Sequence, residues 1–393
     1  MRKFLNFKSL AIAPVALAAA MSVQAAEGMS NLMTEWKGGA SGPVATTGNT
    51  SGANNWRLTA GMAFNGVQGA FDGTALLLFT TSTATGTYAC SGSLVSSEYI
   101  LTAGHCTDGL LSMSIQFGYT NGVALQTRTA ASVVQAPGWN GTLDTGADLA
   151  LVKLSAPVTN LPIYSLSTTN DVGKQFIMTG YGTSGNGSSA GSANNPLPNW
   201  NDSAYGHYGY NTFDTTSDAF TSAWQTFSGE NVYTAPTYGR TYVADFDYYN
   251  ATANATNSAR YNTLQRIADV TGGTWGNNQG VGVNEALIGG GDSGGGDFIW
   301  DGSKWVLSAV HSWGWQFCGG RFGSGTAGGG TNCDLSANNS SSFGDLMGST
   351  AIVDHVDWIN SVIGVTAVPE PESYALLLAG LGLVAGVARR RRA

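Results

Sequence analysis

Charge is scarce in this sequence of 393 residues, since Asp, Glu, Lys and Arg together make up only 11%. So little charge excludes a coiled coil, which needs Glu and Lys in heptads, and a charge-rich disordered chain. Basic residues are the scarcer sign, 17 against 25 acidic ones, and they form no patch outside the chain ends. We therefore expect no nucleic-acid partner. The 55 glycines and the many Ser, Thr, Asn and Tyr residues favour an all-β chain with many turns.

Cysteine is also scarce, with four residues and no C-x₂-C pair. An even count behind a secretory signal favours two disulfides over a metal site. The pairs Cys90–Cys106 and Cys318–Cys333 each close a short loop and are the economical prediction, although the other two pairings remain open. The sequence gives no reason to expect a metal or another cofactor.

Long apolar runs are confined to the two ends of the chain. Residues 1–25 have a basic start, an apolar middle and a small-residue cleavage site, as a signal peptide does. Residues 26–63 are small and polar, and we interpret them as a propeptide or flexible lead-in. Residues 374–388 are uncharged and are followed by four arginines, but the run is shorter than the roughly 20 residues of a stable membrane helix.

The body between these ends, residues 64–363, contains short apolar runs between turn signals. They lie at 74–79, 99–102, 114–117, 132–134, 149–154, 175–179, 296–299 and 305–310. This spacing predicts a β-sandwich or barrel rather than alternating strands and helices. Residues 183–283 interrupt the pattern, and we interpret them as a long surface insertion with local hairpins and one short helix near 263–270. Apolar residues at helical spacing predict a second helix over 351–363.

Three separated motifs fit one reaction mechanism. They are TAGHC at 102–106, DLALVKL at 148–154 and GDSGG at 291–295, and they supply a histidine, an aspartate and a serine in that order. A serine hydroxyl is a poor nucleophile at neutral pH, so it needs a neighbouring base. His105 is predicted to take the proton of Ser293, and Asp148 to hold the imidazole in the required tautomer. Asp144 is the weaker candidate for the third role.

These motifs resemble those of the chymotrypsin/trypsin family of secreted serine endopeptidases, over residues 64–363. The resemblance implies two antiparallel Greek-key β-barrels with a C-terminal helix, with the insertion in the second barrel. It also implies an oxyanion hole formed by the N–H groups of Gly291 and Ser293. The expected partner is a protein or peptide substrate, and the expected state is a monomer.

The same resemblance assigns a primary pocket and an activation residue. Leu287 falls at the pocket bottom, so the acid that selects Arg or Lys is missing, and the pocket wall is the run Ser312, Trp313 and Gly314. His311 precedes this wall and resembles the pocket histidine of glutamyl endopeptidases. Two hypotheses about the pocket therefore stay open: it binds Glu side chains, or it binds uncharged side chains. Asp292 resembles the aspartate that receives a new N-terminal amine on zymogen activation. However, the sequence contains no clear Ile-Val-Gly-Gly motif, with which the activated chain of this family begins.

Several other polar residues are expected to lie at the surface without a functional role. His207 in the insertion and His355 on the last helix are predicted to lie at the surface. Asp245 and Asp247 could bind calcium, but a surface turn is the preferred interpretation because no ligand loop is recognisable.

The last residues, 364–393, resemble a linker and a PEP-CTERM sorting tail, with Pro-Glu-Pro at 369–371, a short apolar run and a basic end. The resemblance implies export from a Gram-negative cell, transient membrane contact and removal of the tail by an exosortase-type enzyme. The whole chain is thus predicted to be a secreted or surface-sorted serine endopeptidase. The alternative is a non-catalytic surface or matrix-binding protein on the same fold.

Overall fold

The computed structural model describes residues 56–182, 184, 202–228, 238–247, 262–275, 280–315 and 343–364. The predicted signal peptide, the sorting tail and the predicted Cys318–Cys333 disulfide lie outside these residues. The chain divides into two units after Val356, and every strand given below belongs to the first of them. Among the described residues, no helix combines the length and the apolar character needed to span a bilayer.

The first half of the larger unit is a closed antiparallel barrel of six strands in the order β2-β3-β4-β7-β6-β5. The strands are β2 (Thr74–Thr81), β3 (Tyr88–Ser96), β4 (Tyr99–Thr102), β5 (Leu110–Phe117), β6 (Gln126–Gln135) and β7 (Ala150–Leu154). In β5, Met113, Ile115 and Phe117 alternate with more exposed residues and are buried. This period of two is what a strand with one face on a core requires.

The second half is a nine-stranded sheet in the order β1-β10-β9-β13-β14-β15-β12-β11, with β8 parallel to β14. Its strands are β1 (Arg57–Leu58), β8 (Ser165–Leu166), β9 (Gln175–Gly180), β10 (Gly206–Thr212), β11 (Thr215–Thr216), β12 (Thr241–Asp245), β13 (Gly296–Trp300), β14 (Trp305–Trp315) and β15 (Leu346–Ala351). The predicted all-β class is confirmed, as a closed barrel and a second large sheet.

Aromatic side chains dominate the core of this second sheet. Phe176 and Phe213 stack at 4.1 Å between ring centroids, and Tyr242 lies 4.7 Å from Phe213. Phe246 and Phe343 pack in the same buried cluster. Rings of this size bury much apolar surface each and so dominate the stability of such a core.

Within the described residues, the α-helices are α1 (Ser217–Ser228), α2 (Thr263–Thr271) and α3 (Val356–Ile363). The helix predicted near 263–270 is confirmed as α2, and Asn262 caps it by accepting a hydrogen bond from the N–H of Gln265. The helix predicted over 351–363 is shorter, because residues 346–351 form β15 and a 3₁₀ turn, Ile352–Asp354, precedes α3. The smaller unit is described only over residues 357–364, where Ile359 is buried.

Two expectations about chain organisation are corrected. The insertion is not a surface excursion, because its residues 206–216 and 241–245 form strands β10, β11 and β12 of the main sheet. The lead-in is folded in its last part, where Trp56 and Leu58 are buried and Arg57 pairs with Asp202. In both segments the polar composition concealed strands that are completed by pairing with distant partners.

Candidate active site

His105 lies on a tight turn that follows strand β4 of the barrel. Strand β4 ends at Thr102, and the 3₁₀ turn Gly104–Thr107 follows, closed by a 2.7 Å hydrogen bond from the Thr107 hydroxyl to the Gly104 carbonyl. The predicted Cys90–Cys106 disulfide is present. Both sulfur atoms lie within 4.8 Å of a ring nitrogen of His105. The disulfide therefore links the turn that contains His105 to strand β3.

Asp148 holds His105 through two hydrogen bonds. It lies just before β7, and its side chain is 0% exposed. Its Oδ2 is 2.7 Å from His105 Nδ1, and its Oδ1 accepts the backbone N–H of His105 at 2.9 Å. A third donor, the Ser312 hydroxyl, reaches Oδ2 at 2.6 Å. A carboxylate held at both oxygens cannot rotate, so the imidazole is oriented as well.

The ionisation of His105 is set by two opposing effects. Burial disfavours the charged ring and lowers the pKa of His105, whereas the charge and hydrogen bond of Asp148 raise it. The net result is a pKa above the ordinary histidine value, to which Asp108 also contributes. The ring can therefore carry a proton at near-neutral pH once one is delivered to it.

Ser293 lies beside this turn, although it is far away in sequence. Its carbonyl oxygen accepts the N–H of Ser91 at 2.8 Å and lies 3.7 Å from Cys106 Sγ. The hydroxyl of Ser91 donates to the Gly291 carbonyl at 3.0 Å and accepts the N–H of Tyr181 at 2.9 Å. Ser91 thus joins the barrel to the GDSGG loop, and His105, Asp148 and Ser293 meet in one region.

Two glycines of the GDSGG loop are required by its backbone. Gly291 has a φ of 98° and Gly294 a φ of 80°, in the region that favours glycine. A Cβ atom on Gly294 would also collide with the Thr102 hydroxyl and the Ser91 carbonyl. The loop can approach β3 and β4 only because this residue has no side chain.

Asp292, the predicted activation residue, is held by backbone donors. Its Oδ1 accepts the N–H of Gly182 and its Oδ2 the N–H of Gly289, both at 2.8 Å. Gly180 and Gly182 also approach this carboxylate so closely that a Cβ on either would collide with it. The buried carboxylate thus has partners from within the fold.

The predicted pocket residues are all buried or partly buried. Leu287 belongs to the apolar core cluster, and Trp313 packs against Gly348. Gly314 has open space beside it, with only the Leu346 carbonyl near a Cβ position. Ser312, which was predicted only as part of the pocket wall, also donates a hydrogen bond to Asp148.

His311, the candidate for binding an acidic substrate side chain, is enclosed by protein groups. It is 0% exposed, its Nδ1 lies 3.0 Å from the Asp292 carbonyl, and its Nε2 lies 2.7 Å from Asp297 Oδ1. Burial lowers the pKa of His311, but Asp297 and Asp292 together raise it above the ordinary value. In this structure both ring nitrogens are engaged within the protein.

The predicted surface positions of two other histidines are wrong. His207 is buried on β10, where its Nε2 lies 2.9 Å from Asp202, and burial lowers its pKa. His355 is also buried, with its Nε2 2.6 Å from the Gly146 carbonyl. The ring of His355 has its polar partner 209 residues away, and His207 is buried because β10 lies between β1 and β9, so the local sequence reveals neither burial.

The surface turn expected at Asp245 and Asp247 is also contradicted, because both carboxylates are buried. Two contacts were not predicted from the sequence: the hydrogen bond from Ser91 to Gly291 and the hydrogen bond from Ser312 to Asp148. Ser91 lies in β3, and no local signal connects it to a loop 200 residues away.

Two family models match parts of this chain. The model of the trypsin family matches residues 65–199, which include His105 and Asp148, and the model of the PEP-CTERM protein-sorting motif matches residues 367–392. The chain therefore contains a trypsin-family region, and it ends in a PEP-CTERM sorting motif that indicates export and surface sorting. A solved structure entitled "HL collagenase structure at 1.7A resolution" is similar over 79% of this chain and 98% of that chain, with 17% identity and a TM-score of 0.45.

Proposed function

We propose that this protein is an exported serine endopeptidase that uses Ser293 as nucleophile, His105 as general base and Asp148 to orient the base. The observation that carries the proposal is the buried Asp148 carboxylate, which binds both the ring and the backbone N–H of His105. This arrangement places the neutral ring's proton on Nδ1 and leaves Nε2 free to accept a proton. The trypsin-family match over 65–199 supports the same class of hydrolase.

The reaction then follows in two proton transfers. His105 removes the proton of Ser293 as the hydroxyl attacks the scissile carbonyl, and returns it to the leaving amine. Asp148 stabilises the imidazolium formed in between. Water repeats the sequence to release the acyl group from Ser293.

The N–H groups of Gly291 and Ser293 are proposed to stabilise the negative charge that develops on the substrate oxygen. The shape of the loop supports this role, because Gly291 has a positive φ and its carbonyl is held away by the Ser91 hydroxyl. The two backbone donors of Asp292 favour a loop formed without a new N-terminal amine. Loss of one oxyanion donor typically costs about 10²–10³ in rate.

The primary pocket is proposed to accept uncharged side chains. Leu287 lies in an apolar cluster, so this position offers no carboxylate to bind Arg or Lys. Cleavage after Glu is the second candidate, and the raised pKa of His311 favours it. The engagement of both His311 nitrogens by Asp292 and Asp297 favours the uncharged pocket. Cleavage sites in a peptide library, compared between the native protein and His311→Val, separate the two.

The PEP-CTERM motif implies processing at the C-terminus by an exosortase-type enzyme. We propose that residues 1–25 are removed on export and that the tail is removed during sorting, after transient contact with the membrane. The remaining chain would act on protein or peptide substrates at the cell surface or after release.

A fluorophosphonate probe tests the proposed function directly, because it labels only an activated serine. We expect labelling of the processed protein and none in Ser293→Ala. Absence of labelling in a verified mature, folded protein would reject the enzyme and favour the surface-binding alternative. Hydrolysis of a peptide library by the same preparations provides an independent readout.

A further inference from the structure

Four buried carboxylates that the proposed mechanism does not use lie together in the second sheet. Asp214 follows β10, Asp245 ends β12, Asp247 lies two residues later, and Glu285 follows the 3₁₀ turn Gly282–Asn284. Each is at most 2% exposed. Carboxylates are rarely buried to this degree without a counter-charge.

Hydrogen bonds show that the four residues share one location. Asn211 donates to the carbonyls of Asp245 and Ala286, at 2.8 and 3.0 Å, and so joins the end of β12 to the residue after Glu285. The N–H of Asp247 donates to Glu285 Oε1 at 2.8 Å. The backbone N–H of Asp214 donates to the carbonyl oxygen of Val243 on β12 at 3.0 Å.

Negative charge in this cluster is not balanced by the side chains that the structure describes. No ion pair within the described ranges involves any of the four carboxylates. Burial raises the pKa of all four, that of Asp245 to about 6. The charges of Asp245 and Glu285 raise the pKa of Asp214 and of Asp247 further.

The four carboxylates differ in how their oxygens are used. Both oxygens of Glu285 accept backbone N–H groups, from Asp247 and from Val281 at 2.6 Å, and Asp245 Oδ2 accepts the N–H of Leu264 at 2.9 Å. In contrast, both oxygens of Asp247 are buried and accept no hydrogen bond, and the Asp214 carboxyl group has only Asp245, another acid, as its partner. A buried carboxylate without a partner is costly, so the Asp247 oxygens beside this pair of acids point to a missing cation.

We propose that the carboxylates of Asp214 and Asp247 bind a calcium ion, with Asp245 and Glu285 adding negative charge to the site. The reason is chemical: the ligands available are oxygens alone, which suit a hard divalent cation. Calcium accepts irregular geometry, whereas magnesium requires a near-octahedral shell. An exported protein also meets calcium at the millimolar concentrations at which extracellular sites of this kind bind.

The arrangement shown requires some movement for binding. Oxygens from three of these residues do not all lie within 4.8 Å of one another. A bound cation would draw the Asp214 and Asp247 carboxylates together and remove their mutual repulsion. Because these residues lie on segments before and after β12, binding would connect parts of the chain that are distant in sequence and so stabilise the fold.

The test uses the full chain with Ser293→Ala, so that self-cleavage does not affect the measurements. After treatment with EDTA and dialysis, addition of Ca²⁺ should raise the melting temperature by several degrees, on the order of 5 °C at 100 times the dissociation constant. Isothermal titration should give one bound Ca²⁺ per chain. A smaller response to Mg²⁺ is expected, and an equal one would overturn the choice of calcium.

The deciding variant is Asp214→Asn with Asp247→Asn, which keeps the side-chain volumes and removes two charges. It should lose the Ca²⁺-dependent rise in melting temperature, while the calcium-free protein should be no less stable than its parent. The matched control, Asp269→Asn with Asp357→Asn, changes two exposed acids and should respond to Ca²⁺ as the parent does.

If the double variant fails to fold, each single variant is titrated instead, and at least a tenfold weaker binding of Ca²⁺ is expected. No bound Ca²⁺ in the parent, or unchanged binding in both single variants, would overturn the proposal. None of these readouts depends on proteolysis, so the proposed function and the calcium site can fail independently.

Discussion

Replacing Asp148 with asparagine tests the proposed base most sharply. Three donors meet the Asp148 carboxylate: the backbone N–H and the Nδ1 of His105, and the hydroxyl of Ser312. An amide has only one oxygen to accept them. If that oxygen keeps the backbone N–H of His105, the amide NH₂ takes the place of Oδ2, 2.7 Å from Nδ1.

The reverse orientation of the amide is disfavoured. It would place the NH₂ group against the His105 backbone N–H, which is 2.9 Å from Oδ1, and leave two buried donors facing each other. Such an unsatisfied group costs about 1–3 kcal/mol. The amide therefore donates to Nδ1, the ring proton moves to Nε2, and His105 can no longer accept the proton of Ser293.

We expect kcat of Asp148→Asn to fall by about 10⁴, which corresponds to about 5 kcal/mol of transition-state stabilisation. KM should change little, because Asp148 does not face the substrate. The assay is steady-state hydrolysis of a peptide substrate found in the library screen. The matched control is Asp144→Asn, four residues away in the 3₁₀ turn Leu143–Thr145. A loss of less than tenfold in Asp148→Asn, or an equal loss in Asp144→Asn, would contradict the role proposed for Asp148.

Further predictions concern pH, packing and processing. The acid limb of kcat/KM should have an apparent pKa above 6.5, because Asp148 raises the pKa of His105 against the effect of burial, and the limb should move to lower pH in Asp148→Asn. Because the pKa of His105 is higher in the folded protein than in the unfolded chain, its protonation stabilises the fold. This stabilisation is present below about pH 6.5 and is lost as the pH rises through the folded pKa. A contribution of His105 to the melting temperature that grows over this pH range would contradict the raised pKa. Ser91→Ala removes two buried hydrogen bonds and should cost about 1–3 kcal/mol in chemical denaturation, together with a loss in kcat; unchanged stability would show that the link to Gly291 is weak. Gly294→Ala should abolish activity and lower the melting temperature, whereas Gly302→Ala, at a similar positive φ but with open space, should cost only backbone strain. In cells with the sorting machinery, mass spectrometry of surface-extracted protein should find no residues beyond about Pro371, and an intact end at Arg389–Arg392 would contradict removal of the tail.

The local sequence determined those elements in which side-chain type and spacing carry the signal. The apolar runs at 74–79, 99–102, 149–154 and 175–179 coincide with β2, β4, β7 and β9, because a buried strand needs a short apolar run whatever surrounds it. The motifs around His105 and Asp148 are equally local. Helix α2 was also predictable, since its apolar spacing and its Asn262 cap lie within one short segment.

Only the tertiary structure revealed the strands and polar contacts that depend on distant partners. Strand β3 contains Ser91, Gly92 and Ser93, and β10 reads GHYGYNT, so neither has an apolar pattern, yet both are buried between neighbouring strands. His355 and the acidic cluster were misjudged for the same reason, and His207 was misjudged because the strand that carries it lies between β1 and β9. The bond from Ser91 to Gly291 spans 200 residues of sequence. Burial of a polar group depends on the partner that satisfies it, and where that partner comes from another part of the chain, the fold decides.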